Sequence, residues 1–294
     1  LGGAVGVTLN VLRGLPFYFW LMDLNPDQTV QLGKARPDSI SVKAFDALNR
    51  QILRRAKAIL ALDSAMADRF ARKLAGVKAV EVLPLWPLKE SRQPTESGVS
   101  TFLTEHGLLG TRVIMHSGNH SIAHPLETLF EAAKRSSEAS RLRFLFVGGG
   151  VAKKPIEAWV KEQQPKHVQC LPYQPIERLG DVLGAATVQV VVVGEKTVGI
   201  VHPSKIYGAI AAAKPILVIG PEQSPAAQLV LKEGIGWHVE HGDVTGLLAI
   251  LEKIESASDS ELTILGERAR ALANGAYARG VLLEQMSRTI TQSF

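Results

Sequence analysis

The chain has 294 residues, 46% of them hydrophobic and 21% charged, with a net charge of +5 at pH 7. That composition excludes a disordered or fibrous protein and supplies chain for about one and a half to two domains, while the mild, dispersed positive charge suits anionic small molecules or an acidic membrane surface better than nucleic acid. A single cysteine, Cys170, excludes an internal disulfide and favours a reducing compartment, so a cytoplasmic protein is expected.

The chain begins at Leu1 without an initiating Met, and we expect a piece of a longer protein. Its first stretch, LGGAVGVTLNVLRGLPFYFWLMDLNPD, is apolar, but Arg13, Gly14 and Pro16 break it into pieces too short to span a bilayer. A helix end, a turn and a buried strand over Phe17 to Met22 are predicted there. SVKAFDALNRQILRRAKA has the apolar spacing of a helix, AILALD that of a short buried strand. SAMADRFARKLAG is predicted as a helix with Ser64 as its N-cap and Gly76 past its end, followed by the strand AVEVLPL. The polar, proline-bearing WPLKESRQPTESGVS is the best linker in the chain.

Beyond it, strands and helices alternate: TRVIMHSG, LETLFEAAKRSS, RLRFLFVG, PIEAWVKEQ, HVQCLP, IERLGDVLGAA and VQVVVVG. Helix–strand pairs SKIYGAIAAA/PILVIG and SPAAQLVLKEG/GWHVEH follow, then the helix DVTGLLAILEKIES. The tail from Ser258 to Phe294 is predicted helical. Apolar strands alternating with helices mean parallel sheets covered on both faces. The fold class is therefore α/β, with two doubly wound domains: an incomplete one over 1–92, a second over 93–275, and a C-terminal helix at 276–294 that can pack back on the first.

In such sheets ligands sit at the carboxyl ends of strands, so the loops there carry the candidates. HSGNHSIAH has Gly118, which lets backbone approach an anion, then Asn119 and His120. The spacing of His116, His120 and His124 raises a metal, but the Gly-Asn inside the run makes a loop, and no acidic or cysteine partner is near. FVGGG, with Gly149 the middle of its three glycines, lacks the third glycine of a dinucleotide fingerprint. CLPYQP offers Leu171 and Tyr173 to a base, although Tyr173 reads equally well as half-buried core. Ahead of a run of small residues, Pro203, Ser204 and Lys205 open a helix. Ser204 can cap it or donate to a phosphate. Lys205 is unfavourable at a bare helix start, and an anion bound there removes the conflict.

Taken together these stretches resemble a GT-B glycosyltransferase of the large retaining family 4, closest to the bacterial capsule, colanic-acid and O-antigen branch. FWLMDLNPD, RRAKAILALDSAMADRF, HSGNHSIAHPLETLFEAA, FLFVGGG, QCLPYQPIERLGDVLGAA, VHPSKIYGAIAAAKPILVIGPEQS and GIGWHVEHGDV carry the resemblance in the family's order across nearly the whole chain. It implies GT-B architecture with two Rossmann-like domains and a UDP-sugar co-substrate bound mainly by the C-terminal one. Gly118, Asn119, His120 and Gly149 would lie by the donor, Leu171 and Tyr173 by the uracil. Backbone at Val201, His202 and Pro203 would lie by the sugar, Ser204 and Lys205 by the diphosphate, and Asp23 near the reacting carbon. Helix capping or turn formation by Asp-Leu-Asn-Pro competes for Asp23. Where many relatives carry two glutamates, this chain has Ile200 and Gly208. The family's glycine-rich acceptor loop is not in this sequence, and the chain by itself is expected to be inactive.

The implied reaction is sugar transfer with retention to a glycan or polyprenyl-diphosphate-linked acceptor, without a metal, with Lys205 stabilising the leaving UDP. A non-catalytic nucleotide-sugar-binding relative and a UDP-sugar epimerase are the alternatives. A lipid-linked acceptor implies work at the inner face of the plasma membrane. Arg50, Arg54, Arg55 and Lys57 form the candidate patch, and a solvated basic helix face explains them equally well.

Overall fold

Strands that are apolar throughout need cover on both faces. The computed structural model, which describes residues 2–73, 80–88 and 94–292, meets that need twice. Contacts divide the chain into one unit made of Leu1–Leu85, Glu195–His202 and Arg279–Phe294, and another made of Trp86–Gly194 and Pro203–Ala278.

In the first unit, helix α1 (Gly2–Arg13) leads into β1 (Tyr18–Trp20). The short α2 (Asp27–Gln31) and the long α3 (Ile40–Arg55) precede β2 (Ala58–Ala61), and α4 (Ser64–Lys73) precedes β3 (Val80–Val82). The three strands run parallel in the order β1-β2-β3. The predicted buried strand at Phe17 to Met22 is shorter than expected and only half-buried. The N-cap of α4 is corrected by one residue. Ser64 is already helical, and the carboxylate of Asp63 takes the Met66 N–H at 2.7 Å, because an anion at a helix start satisfies an orphan donor and the dipole together. Gly76 lies outside the described residues.

The core of this unit gathers Leu21, Leu53, Ile59, Met66 and Phe70 around Ile200, which is 1% exposed. Ile200 reaches it because residues 195–202 leave the second unit's order and pack here. Leu24 N–H donates to the Ile200 carbonyl at 3.0 Å, and Asp23 forms an antiparallel bridge with Val201. Gly199, at φ +71, lies against the Ala65 carbonyl, where a Cβ would clash.

The second unit opens with α5 (Glu96–Glu105), which occupies the latter part of the predicted linker. The Thr95 hydroxyl caps it by accepting from Gly98 N–H at 3.1 Å, and Phe102 and Leu108 bury against the sheet. Then come β4 (Arg112–Asn119), α6 (Glu127–Arg135), β5 (Leu142–Gly149), α7 (Lys154–Gln163), β6 (Val168–Leu171), α8 (Leu179–Gly184) and β7 (Val188–Val192). The remainder is α9 (Lys205–Ala211), β8 (Ile216–Ile219), α10 (Pro225–Glu233), β9 (Gly236–Val239), α11 (Val244–Ser256) and α12 (Asp259–Asn274). The chain's last helix, α13 (Arg279–Gln292), belongs to the first unit. There Thr289 donates to Glu81, Gln285 to the Val82 carbonyl, and Tyr18 to the Ile290 carbonyl. The helical tail is thus two helices, parted at Gly275.

The larger sheet is parallel in the order β6-β5-β4-β7-β8-β9. Alternation splits its side chains cleanly: Ile114, Phe144, Phe146 and Val190 face one core, Val113, Met115, Leu145 and Val147 the other. The order reverses between β4 and β7, and that crevice, at the carboxyl ends, is where a doubly wound sheet receives a ligand. Among the described residues no helix is long and apolar enough to cross a membrane.

Ile200→Glu should lower stability by at least about 3 kcal/mol, since it buries an uncompensated charge in the first core. Chemical denaturation of the variant beside Ile200→Val would measure it, the latter costing about 1 kcal/mol.

Candidate functional site

The loop after β4 and the loop after β5 are bonded to each other. His120 N–H donates to the Gly149 carbonyl at 2.9 Å, and Ala152 N–H to the His120 carbonyl at 3.0 Å. The approach is so close that a Cβ on Gly148 would collide with the Gly118 carbonyl, and one on Gly150 with that of His120. Both glycines have positive φ, +115 and +139. The FVGGG run therefore serves loop-to-loop contact, and its lack of a dinucleotide fingerprint follows from that.

Beneath the loops sits Lys153, 1% exposed. Its ammonium donates to the Gly148 carbonyl at 2.7 Å and the Leu171 carbonyl at 2.6 Å, with Glu157 at 3.3 Å. It joins the ends of β5 and β6. Sequence reasoning passed over it, because a lysine beside glycines reads as solvated. The signal available was Glu157, one helical turn on, where a paired anion permits burial.

Lys205, at the start of α9, crosses Gly118 and donates to the Asn119 carbonyl at 2.9 Å. It ties the element after β7 to the loop after β4 across the switch point. Part of the residue remains exposed, yet surrounding protein desolvates the ammonium and pushes its pKa down to about 8. Ser204 occupies the N-cap position, but its side chain makes no capping hydrogen bond, which corrects one of its two expected roles: its backbone is αR, where the hydroxyl does not reach the cap donors. The hydroxyl is thereby left for solvent or ligand. Pro203 is buried beside it.

Tyr173 is 61% exposed, not half-buried core. Its ring lies against Gly149, and its hydroxyl donates to the Gly149 carbonyl at 3.2 Å. Gly118, Asn119, Gly149, Leu171, Tyr173 and Lys205 thus lie on neighbouring loops at one end of the sheet.

His120 is brought to the same loop but with its ring turned inward. It is 0% exposed and stands edge-on to His116 at 4.9 Å, so the ring offers no surface to a ligand, which corrects its expected contact. His116 bonds the Val190 carbonyl through Nδ1 at 2.9 Å. Its Nε2, both ring nitrogens of His120 and Nδ1 of His124 are buried without a hydrogen-bond partner among the described residues. Burial first, then the cations Lys153 and Lys205, hold His120 at a pKa of about 4. Burial and Lys205 hold His124 at about 4, and His116 lies well below its usual value for the same two reasons. These are neutral rings packed as core. Among the described residues no three His, Cys, Asp or Glu side chains are grouped to hold a metal. Cys170, on β6, has its thiol raised to about 11 by burial and is a poor nucleophile.

In the first unit, Asp23, Asp63 and His202 collect past the ends of β1 and β2. His202 Nδ1 lies 2.6 Å from Asp63 Oδ2, with both side chains nearly buried, while Asp63 Oδ1 caps α4. Asp63 was not a candidate from the sequence: its partner is 139 residues away, and only the fold joins them. Asp23 is exposed by area, but nearby chain desolvates its carboxyl and raises its pKa, with His202 opposing. Among the described residues its side chain caps no helix and closes no turn, so the competing structural role is not the one it plays. Ile200 fills core and Gly208 faces Leu183, so neither glutamate position of the resembling family holds a polar group here.

No protein-family model matches the chain. Over 284 residues it is 22% identical to a probable glycosyltransferase, WbjE of Pseudomonas aeruginosa, a match covering 96% of this chain and 70% of that one. HepE of Anabaena, solved in complex with UDP, superposes with a TM-score of 0.76 at 15% identity, covering 99% of this chain and 76% of that one. WaaG, a glycosyltransferase involved in lipopolysaccharide biosynthesis, superposes at 0.71 with 16% identity, covering 94% and 76%. The chain has the GT-B fold. The GT-B likeness runs through both units, and the expectation of two Rossmann-like sheets is met.

Two outcomes test the local chemistry. Lys153→Met should cost about 1–3 kcal/mol, the penalty for leaving buried carbonyls unpaired, read by denaturant unfolding. His120 and His124 bind protons in the unfolded chain near 6.5 and in the folded one only near 4. Their contribution should therefore make stability fall as pH drops from about 6.5 to about 4. The unfolding midpoint against pH would follow it, with a shallower slope in His124→Gln.

Proposed function

We propose that the protein is a retaining glycosyltransferase that moves a sugar from a UDP-linked donor to a glycan or polyprenyl-diphosphate-linked acceptor in surface-polysaccharide assembly. The observation that carries this is the Lys205 ammonium, laid over the Gly118-Asn119 loop at the reversal point of the six-stranded sheet. The GT-B fold, the bacterial glycosyltransferase relative and the UDP and UDP-glucose complexes of HepE support the donor class. WaaG, a structural neighbour in lipopolysaccharide biosynthesis, supports the acceptor class.

In this reading the uracil lies by Leu171 and Tyr173, and the diphosphate takes its charge from Lys205 and a hydroxyl from Ser204. When the glycosidic bond to the diphosphate breaks, the negative charge that develops on UDP falls next to a cation already fixed by the Asn119 carbonyl. A pre-placed charge lowers a barrier without reorganisation. The reading gives no role to a metal. Val201, His202 and Pro203 offer backbone to the sugar, and Asp23 is the residue assigned to the reacting carbon, with Asp63 held to His202 Nδ1. The exposed Arg54 and Arg55 on α3 support attachment at an anionic membrane surface, where a lipid-linked acceptor resides.

Ile200 and Gly208 favour a second reading, a nucleotide-sugar-binding protein that does not transfer, since no carboxylate stands at either position. Release of UDP from UDP-glucose or UDP-N-acetylglucosamine, assayed in a chain extended to its relatives' length, separates the two.

UDP titrated calorimetrically into the protein should bind in preference to ADP and GDP, and Lys205→Ala should weaken it about 10- to 100-fold, the range of one charge-assisted hydrogen bond. Because the free ammonium titrates near 8 and a bound diphosphate raises that value, binding above pH 8 should take up a proton and weaken as pH rises. Heats compared in two buffers of different ionisation enthalpy measure that uptake. Its persistence in Lys205→Ala would remove Lys205 from the site.

A further inference from the structure

The opposite end of the second unit's sheet holds a cleft of about 410 Å³. Its wall includes Arg112 at the start of β4, Lys214 just before β8, and Arg270 on α12. Arg112 to Asn119 spans the whole of β4, about 23 Å at the rise of an extended strand, so this cleft is remote from the Lys205 loops. It also lies at the amino ends of the strands, where a doubly wound sheet ordinarily carries no ligand.

Three cationic groups line this cleft, and the side chains of two of them, Lys214 and Arg270, have no acceptor among the described residues. Arg112 is 8% exposed. Its Nη1 pairs with Asp259 at 2.5 Å and its Nη2 donates to the Ala257 carbonyl at 2.6 Å, but its Nε is buried with no partner among the described residues. The Lys214 ammonium makes neither a hydrogen bond nor an ion pair among the described residues, and the same holds for the Arg270 guanidinium. The two repel each other: burial first and then Arg270 lower the Lys214 pKa. Of the acids in the lining, Asp259 is taken by Arg112, and Glu267 pairs with neither remaining cation. The arrangement is built closely. A Cβ on Gly266 of α12 would clash with the Ala213 carbonyl, and Ala213 itself holds a left-handed φ of +54 in the turn that delivers Lys214.

A partly desolvated cation such as Lys214, set beside a second cation, is destabilised unless an anion offsets the pair. We infer that this cleft is a second ligand site, which binds the phosphate group of a small phosphomonoester between Lys214 and Arg270. With Arg112 holding the wall through Asp259 and the Ala257 carbonyl, the ammonium of Lys214 and the fork of Arg270 can together reach the three terminal oxygens of a phosphomonoester, more than the two of a carboxylate. The volume falls in the small-molecule range, and Val99, Leu103 and Leu262 line the remainder with apolar surface for the carbon body.

Ribose 5-phosphate, inorganic phosphate and ribose, titrated calorimetrically at matched ionic strength into Lys205→Ala protein, test the site with the first one silenced. Ribose 5-phosphate should bind, inorganic phosphate more weakly, and ribose not at all. Adding Lys214→Gln or Arg270→Gln should weaken ribose 5-phosphate by at least about tenfold. Arg270 is exposed, so its replacement leaves the fold intact. Three results would overturn the inference: no binding to Lys205→Ala protein, binding that neither glutamine substitution changes, or inorganic phosphate binding as tightly as ribose 5-phosphate.

Discussion

The organisation of the second unit rests on the reversal of strand order between β4 and β7. A parallel sheet sends its connections to opposite faces on either side of that point, so the loops after the two strands part and leave a crevice that nothing in the sheet fills. Every feature of the Lys205 region follows from how the crevice is lined. The loops after β4 and β5 are pressed together by glycines with positive φ, Lys153 fastens the β5 end to the β6 end from below, and neutral histidines fill the floor. Lys205 is then the cation that lies across the gap.

The floor explains how a lysine can be kept there. Protonated histidines under Lys205 would repel it, and charged groups in so dry a place need partners they do not have. Burial depresses the histidines' affinity for protons far enough that they behave as aromatic packing, His120 and His116 edge to face. The positive charge is thereby concentrated in Lys205 and Lys153, the second of which is occupied with carbonyls. Only Lys205 has a partly exposed position from which to meet an anion.

What the sequence made legible was local. Apolar runs of four to eight residues marked the strands, and Pro-Ser-Lys before small residues marked the start of α9. The resemblance to GT-B glycosyltransferases placed the same stretches in order. The features that stayed hidden depend on distance along the chain or on burial. The Asp63–His202 pair joins a strand end to a segment 139 residues later. Ile200 reads as an ordinary apolar residue, and no periodicity says that it fills the core of the other unit. Helix α5 was masked by the prolines and polar residues before it, although Thr95 followed by Phe102 holds the cap and the buried anchor. His120 shows the converse error, a polar residue in a ligand loop whose ring faces the core.

The first unit is assembled from three stretches of chain, 1–85, 195–202 and 279–294. Its core lacks Ile200 until the chain has grown through the β7 strand, and β3 and Tyr18 lack their α13 partners until the last helix has been made. The second unit needs nothing beyond residue 278. On the ribosome, therefore, order of synthesis and order of completion are reversed: the stretch 1–85 emerges early and waits, while the unit that follows it closes first.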